Sequence, residues 1–203
     1  MLPPLPSVCA KKGNSQMSLT FKLVETSEDI ELVTGIAYEI WHEYWPEHIG
    51  EAQTNYMVSH FQSLEAITKD INEHGYLYYV LYDEDQKIVG YTAAQFESYD
   101  SPDDPDSLKH GPAINNVALS RLFISKIYLY AQERGKHYAS EVIAFYTRLC
   151  QDRHVPAMYL TVNRGNELGV RAYKGKGFEV IEEVDAPIGE GFVMNDYIMA
   201  KRV

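Results

Sequence analysis

The chain has 203 residues, 45% hydrophobic and 12% aromatic, a composition that supports a sizeable core and excludes a disordered protein. Eighteen basic side chains stand against 29 acidic ones, and the formal net charge of −11 argues against nucleic acid or an anionic membrane as partner while attracting small cations. Cys9 lies in a polar leader and Cys150 on an apolar helical stripe, so no disulfide framework and no metal-ligand spacing is visible, and a reducing, cytoplasmic setting fits.

The opening MLPPLPSVCAKKGNSQMSLT has no apolar core of signal-peptide length, and no later run is long enough to span a membrane. Residues 1–16 read as an upstream-start extension or an expression remnant, residues 1–18 as disordered, and residues 19–203 as one domain. FKLVET alternates as a strand, and Ser27 with Asp29 offers helix-start chemistry before the stripe Ile30, Leu32, Val33, Ile36, Ala37 and Ile40. That helix ends in the aromatic cluster WHEYWPEHIG, and a loop follows Pro46 and Gly50. Tyr56, Met57, His60, Phe61, Leu64, Ile67 and Ile71 recur at three- and four-residue steps, predicting one second amphipathic helix that ends near Gly75.

Two β-rich runs flank the polar turn Asp83 to Lys87, a hairpin signal. SPDDPDSLKHGP reads as a solvated loop. ALSRLFISKIYLY, residues 118–130, is a long strand candidate, and Ala139, Val142, Ile143, Tyr146, Leu149 and Cys150 mark one face of the helix after it. AMYLTVN is a further strand, VNRGNELGVRAYKGKGF runs into a short helix, and FEVIEEV and FVMNDYIMAK close the chain as strands. The expected fold is α/β (α+β): a mixed, mostly antiparallel sheet of about seven strands flanked by four helices.

Two stretches carry chemistry. In KIYLYAQERGKHYASEVIAFY a strand, a bend with Arg134, Gly135 and Lys136, and a helix start follow directly on one another. Amides in the first turn of a helix have no internal partner and carry the positive end of the macrodipole, so the bend suits an anion such as a diphosphate. The second stretch, VNRGNELGVRAYKGKGF, has a local reading as well: Asn163 ends a strand, Asn166 caps a helix, and Gly175 and Gly177 stop it.

Together the two stretches resemble the Gcn5-related N-acetyltransferase (GNAT) superfamily. RGKHYAS resembles its Arg/Gln-x-x-Gly-x-Gly/Ala signature, and Val162, Asn163, Asn166, Ala172, Tyr173, Gly177 and Phe178 match the spacing of its following motif. The likeness covers roughly residues 19–203 by element order and is specific over 126–178; its finer part, the ending IGEGFVMNDYIMAK and the helix YMVSHFQS, is similar to bacterial small-molecule acetyltransferases of the polyamine type.

The resemblance implies an acetyl-CoA-dependent N-acetyltransferase acting on the primary amine of a small molecule, with a polyamine as the finer reading and a homodimer as the assembly. It implies that Ile127, Tyr128 and Leu129 pair through their backbone with the pantetheine arm. Arg134, Gly135, Lys136, His137, Tyr138, Ala139 and Ser140 hold the diphosphate, Asn166 contacts the cofactor arm, and Tyr173 stands by the sulfur as proton donor. Asn166 and Tyr173, seven residues apart, share one helix face.

The chain departs from the pattern at His137, where the signature has a glycine. Three readings are open: a weaker cofactor site, a histidine bonded to the diphosphate, or a neutral surface residue, and the last is favoured. A glutamate that polyamine-type relatives place before the Lys126-Ile127-Tyr128 segment is here Ser125, which relays a proton only through water. Keeping an alkyl amine neutral at pH 7 costs roughly 4.6 kcal/mol, so a base or water chain is required, with Glu97, Glu43 and His48 as alternatives. Trp41, Tyr44, Trp45 and Tyr56 sit where the superfamily builds its acceptor wall, although core packing of Trp41 and a subunit contact by Trp45 compete; Asp196 and Tyr197 border the acceptor or a subunit contact. The alternative function is a non-catalytic acyl-CoA sensor or partner-binding module of the same fold.

Overall fold

The computed structural model describes residues 18–98 and 120–203; the leader with Cys9 and the acidic stretch SPDDPDSLKHGP lie outside the described residues. Seven strands form one open, mostly antiparallel sheet: β1 (Thr20–Leu23), β2 (Tyr76–Tyr82), β3 (Ile88–Ser98), β4 (Ser120–Leu129), β5 (Ala157–Asn163), β6 (Glu179–Gly189) and β7 (Phe192–Arg202). Their order across the sheet is β1-β2-β3-β4-β5-β7-β6. The helices among the described residues are α1 (Ser27–Tyr44), α2 (Pro46–Ile49), α3 (Glu51–Phe61), α4 (Leu64–Asn72), α5 (Tyr138–Asp152) and α6 (Glu167–Lys174). The α/β class and the seven strands are those expected from the sequence.

The described residues divide into two compact units, 18–93 with 126–142 and 94–98 with 120–125 and 143–203. In the first, the cap of α1 lies one residue earlier than Ser27 suggests. Thr26 is the cap: its hydroxyl accepts from the Asp29 amide at 3.2 Å, the Asp29 carboxylate accepts from the Thr26 amide at 3.3 Å, and Lys22 of β1 reaches Asp29 at 2.6 Å. The stripe of α1 then packs on Ile67 of α4 and on Tyr78, Val80, Tyr91 and Ala93 of the sheet.

The single helix expected from Tyr56 to Ile71 is in fact two. Gln62 leaves helical geometry at φ −131 and Ser63 restarts it, its hydroxyl accepting from the Ala66 amide at 3.2 Å. The break turns Gln62 inward, where its Oε1 accepts from the buried Tyr91 hydroxyl at 2.9 Å. Apolar spacing continues across the break and so conceals it. The expected loop after Pro46 is a single turn, α2, with Pro46 at its first position and Gly50 at φ 83 behind it.

Close approach fixes Gly90 in β3. A Cβ there would stand 2.1 Å from the Tyr128 carbonyl oxygen and 2.9 Å from the Leu129 Cα, both backbone atoms of β4. Gly90→Ala is therefore expected to cost about 2 kcal/mol, because the backbone must move to admit the methyl group. A lowered urea midpoint at constant slope would report this, and an unchanged midpoint would show that the strands separate freely at that point.

In the second unit, β5 runs parallel to β4 over Leu122–Ile124 against Met158–Leu160 and antiparallel to β7 along its whole length. The ladder with β4 ends before Ile127. Tyr159, Ile198 and Ala200 form a buried cluster extended by Phe123 and Val184. Cys150 is buried, and desolvation pushes its thiol up to about 12, which removes it as a nucleophile at neutral pH.

Candidate active site

The bend after β4 is built almost wholly from local backbone chemistry. Tyr130 opens a short 3₁₀ turn, Ala131–Glu133, closed by Glu133 N–H to Tyr130 O at 2.9 Å and Arg134 N–H to Ala131 O at 3.2 Å. Arg134 is extended, Gly135 takes φ 79, and His137 takes φ 65 before α5 begins. Five successive amides follow, those of Gly135, Lys136, His137, Tyr138 and Ala139, that make no hydrogen bond among the described residues; the ladder of α5 starts with Ser140 N–H to His137 O at 2.9 Å. Left-handed residues within such a run turn N–H groups toward a common concavity, which is an anion-binding geometry. The residues present fit a diphosphate.

His137 adopts the backbone conformation that a glycine would supply, and its side chain is exposed. Gln132, missed in the sequence reading, stands three residues before Gly135, where the signature asks for Arg or Gln. Glu133 was missed too. It is 1% exposed and lies between Lys87 Nζ at 2.5 Å and Lys136 Nζ at 2.8 Å. The Lys136 ammonium first, then Lys87, holds its carboxyl below the usual range. A spacing of three residues marks the Lys136 pair in the sequence; the link to Lys87 spans 46 residues and leaves no local trace.

The aromatic set separates. Trp41 is 3% exposed and packs on Tyr128 at 5.4 Å and on Trp45 at 5.2 Å, so it is a core residue. Tyr128 in turn meets Tyr91 at 5.4 Å, which commits its ring to the same core. Tyr44 lies against Trp45 at 5.2 Å and under the Arg134 guanidinium at 4.2 Å, placing it at the bend. Tyr56 stacks on His60 at 4.0 Å, on α3. Two of the alternative bases are engaged here: Glu43 accepts from the Ala131 amide at 3.2 Å, and His48 Nδ1 bonds the Tyr44 carbonyl at 2.8 Å.

In the second unit, Glu97 accepts from Arg121 Nε at 2.6 Å and from the Tyr159 hydroxyl at 2.8 Å, with Arg121 at 5.0 Å from the Tyr159 ring. That network engages both Glu97 carboxyl oxygens. Ser125 is the last residue of this unit's part of β4 and is partly buried. Asn166 caps α6, its Oδ1 accepting from the Gly169 amide at 2.9 Å, as its local reading expects. Tyr173 closes α6 in a Schellman turn: Phe178 N–H reaches Tyr173 O at 3.1 Å, Gly177 N–H reaches Lys174 O at 3.0 Å, and Gly177 takes φ 85. The Phe178 ring, buried, packs edge-on against Tyr173 at 5.9 Å. Burial pushes the Tyr173 hydroxyl up to about 12, so it remains a proton-bearing donor at any physiological pH.

Solved structures of similar fold include the PaiA N-acetyltransferase of Thermoplasma acidophilum in complex with coenzyme A, at 18% identity and TM-score 0.63 over 92% of this chain and 100% of that one. A GCN5-related N-acetyltransferase of Rhodopseudomonas palustris matches at 13% identity and TM-score 0.64, covering 96% and 100%. A mutant of the spermidine N-acetyltransferase SpeG of Vibrio cholerae matches at 15% identity and TM-score 0.57, covering 91% and 94%. No curated protein sequence matches the chain significantly. No helix among the described residues is long and apolar enough to cross a membrane. The sequence profile of the acetyltransferase (GNAT) family matches residues 37–178, from the middle of α1 through the bend to the Phe178 that closes α6, and the chain belongs to that family.

Proposed function

We propose that the chain transfers the acetyl group of acetyl-CoA to the primary amine of a small molecule, with a polyamine as the acceptor class, and that residues 19–203 act as one N-acetyltransferase domain. The observation that carries this is the run of five unbonded amides beside Arg134, an anion cradle at the end of β4. Strands β3 and β4 pass through both compact units, which supports reading them as one working domain. We take the setting to be a bacterial cytoplasm and the assembly a homodimer. The net charge of −11 and the neighbouring spermidine enzyme favour a cationic acceptor.

In the reaction the amine nitrogen attacks the thioester carbonyl, a C–N bond forms, the C–S bond breaks, and its electron pair leaves on sulfur. The amine's extra proton passes to water, since Glu97 is bound to Arg121 and Ser125 holds no charge. The backbone of Ile127 and Leu129 aligns the pantetheine arm as an added strand, beyond the end of the β4–β5 ladder. Asn166 stands at the cap of the helix that carries Tyr173. Tyr173 donates a hydrogen bond to the developing thiolate.

The absence of a free carboxylate at Glu97 also favours the second reading, a sensor that binds acyl-CoA without turnover. Thiol release from acetyl-CoA with spermidine, a diamine, a monoamine and an amino acid separates the two. Turnover is expected with the di- and polyamines. In the same assay Gly135→Val should raise the acetyl-CoA KM about tenfold, because a β-branched residue is strained at φ 79. Binding without thiol release from any amine would establish the sensor, and an unchanged KM in folded Gly135→Val would remove the bend from the site.

A further inference from the structure

Arg134 is exposed, and a free arginine on a bend would sample many rotamers before meeting a phosphate. Here it is held at two points. Its Nε donates to the Leu129 carbonyl at 3.3 Å, and its guanidinium carbon lies 4.2 Å from the centre of the Tyr44 ring. Among the described residues its two Nη groups make no hydrogen bond. The fork that reads phosphate in two places is thus left open while its stem is fixed.

The ring beneath it is itself fixed. Tyr44 occupies the last turn of α1, stacked on His48 at 4.1 Å and set edge-on to Trp45 at 5.2 Å; Trp45 stacks on Trp41, which is buried. The stack therefore runs from the core to the guanidinium. The same helix grips the bend twice more, through Glu39 to the Tyr130 hydroxyl at 2.6 Å and Glu43 to the Ala131 amide at 3.2 Å. Glu39, Glu43 and Tyr44 lie within about one and a half turns, and their contacts fall on Tyr130, Ala131 and Arg134 in the same order along the bend.

We propose that Tyr44 is a positioning residue for cofactor capture rather than part of an acceptor wall: its ring pre-aligns the Arg134 guanidinium, so that both Nη groups and the amides of Gly135 to Ala139 meet the diphosphate together. The inference rests on the acetyl-CoA reading above. It predicts that the ring matters and the hydroxyl does not, and that the ring acts only through Arg134.

Calorimetric titration of coenzyme A into wild type, Tyr44→Phe, Tyr44→Leu, Arg134→Ala and the Tyr44→Leu/Arg134→Ala double variant tests this. Tyr44→Phe should bind within about twofold of wild type and Tyr44→Leu about fivefold more weakly. The double variant should bind no more weakly than Arg134→Ala alone, a non-additivity that general loosening of α1 would not produce. Tyr44→Leu binding as wild type does, or weakening the Arg134→Ala background by the same factor as wild type, overturns the inference while leaving the functional reading intact. Wild-type protein that binds no coenzyme A overturns that reading and the inference with it.

Discussion

Tyr173→Phe is expected to lower kcat about a hundredfold while leaving coenzyme A affinity within about twofold, because only a donor that acts on developing charge is removed. A phenol pushed up to about 12 does not surrender its proton outright to a thiolate whose conjugate acid lies near 8.5. What it supplies is a hydrogen bond from a half-buried phenol to the negative charge that develops on sulfur. The Schellman turn fixes the donor: Tyr173 O receives the Phe178 amide, and the Phe178 ring braces the phenol from its edge. The pH consequence has a definite sign. Deprotonation begins only as pH approaches about 12, so no alkaline limb below about pH 10 arises from Tyr173, and a rise of kcat/KM with pH reports loss of the acceptor's own ammonium proton. Stopped-flow thiol release under single turnover measures the chemical step directly. An unchanged rate in Tyr173→Phe would make the residue a helix-closing aromatic and nothing more.

The bend and the end of α6 were legible in the sequence because their chemistry is local. Gly135, the helix start after His137, the Asn166 cap and the Gly177-Phe178 stop all act over a few neighbouring residues, on backbone dihedrals that residue type nearly dictates. Long-range choices were not legible. That Gln62 turns in to meet Tyr91 depends on a partner 29 residues away, and it splits a helix whose apolar spacing reads as continuous. Glu133 appears as a polar residue in a polar bend until Lys87 arrives from the hairpin. Tyr44 and Trp41 look equivalent on α1, yet one ends under Arg134 and the other in the core, and only the facing side chains decide which. Residues that make local backbone geometry are read from one stretch; residues that position them are read from two.

Asp196 is the clearest case of the second kind, and its expected behaviour is thermodynamic. It lies on β7 directly opposite Asn163 of β5, it is 6% exposed, and its Oδ1 has no hydrogen-bond partner among the described residues. Desolvation raises its carboxyl to about 6, against the smaller pull of a hydrogen bond from Asn163 and of the Arg164 charge, which Glu183 and Asp185 already engage. Between about pH 4 and 6 the folded protein therefore holds a proton that the unfolded chain has released. Stability contributed by this group is present at low pH, is lost as pH rises through that window, and the full penalty stands above about pH 6. Moving a carboxyl from 3.8 to about 6 corresponds to about 3 kcal/mol at 1.36 kcal/mol per pH unit. The amide introduced by Asp196→Asn does not ionise, so the stability difference from wild type should shift toward that variant by about 2.4 kcal/mol between about pH 4 and 7.5, whatever its offset at the acid end. Urea unfolding of both proteins across that pH range reads the difference, and a flat line would mean that the Asp196 carboxylate is solvated. The strand pair under test also carries Asn163, from which the chain enters α6 and Tyr173, so a protein that bears such a penalty at neutral pH keeps a charged carboxylate beside the strand end that leads into its proposed hydrogen-bond donor.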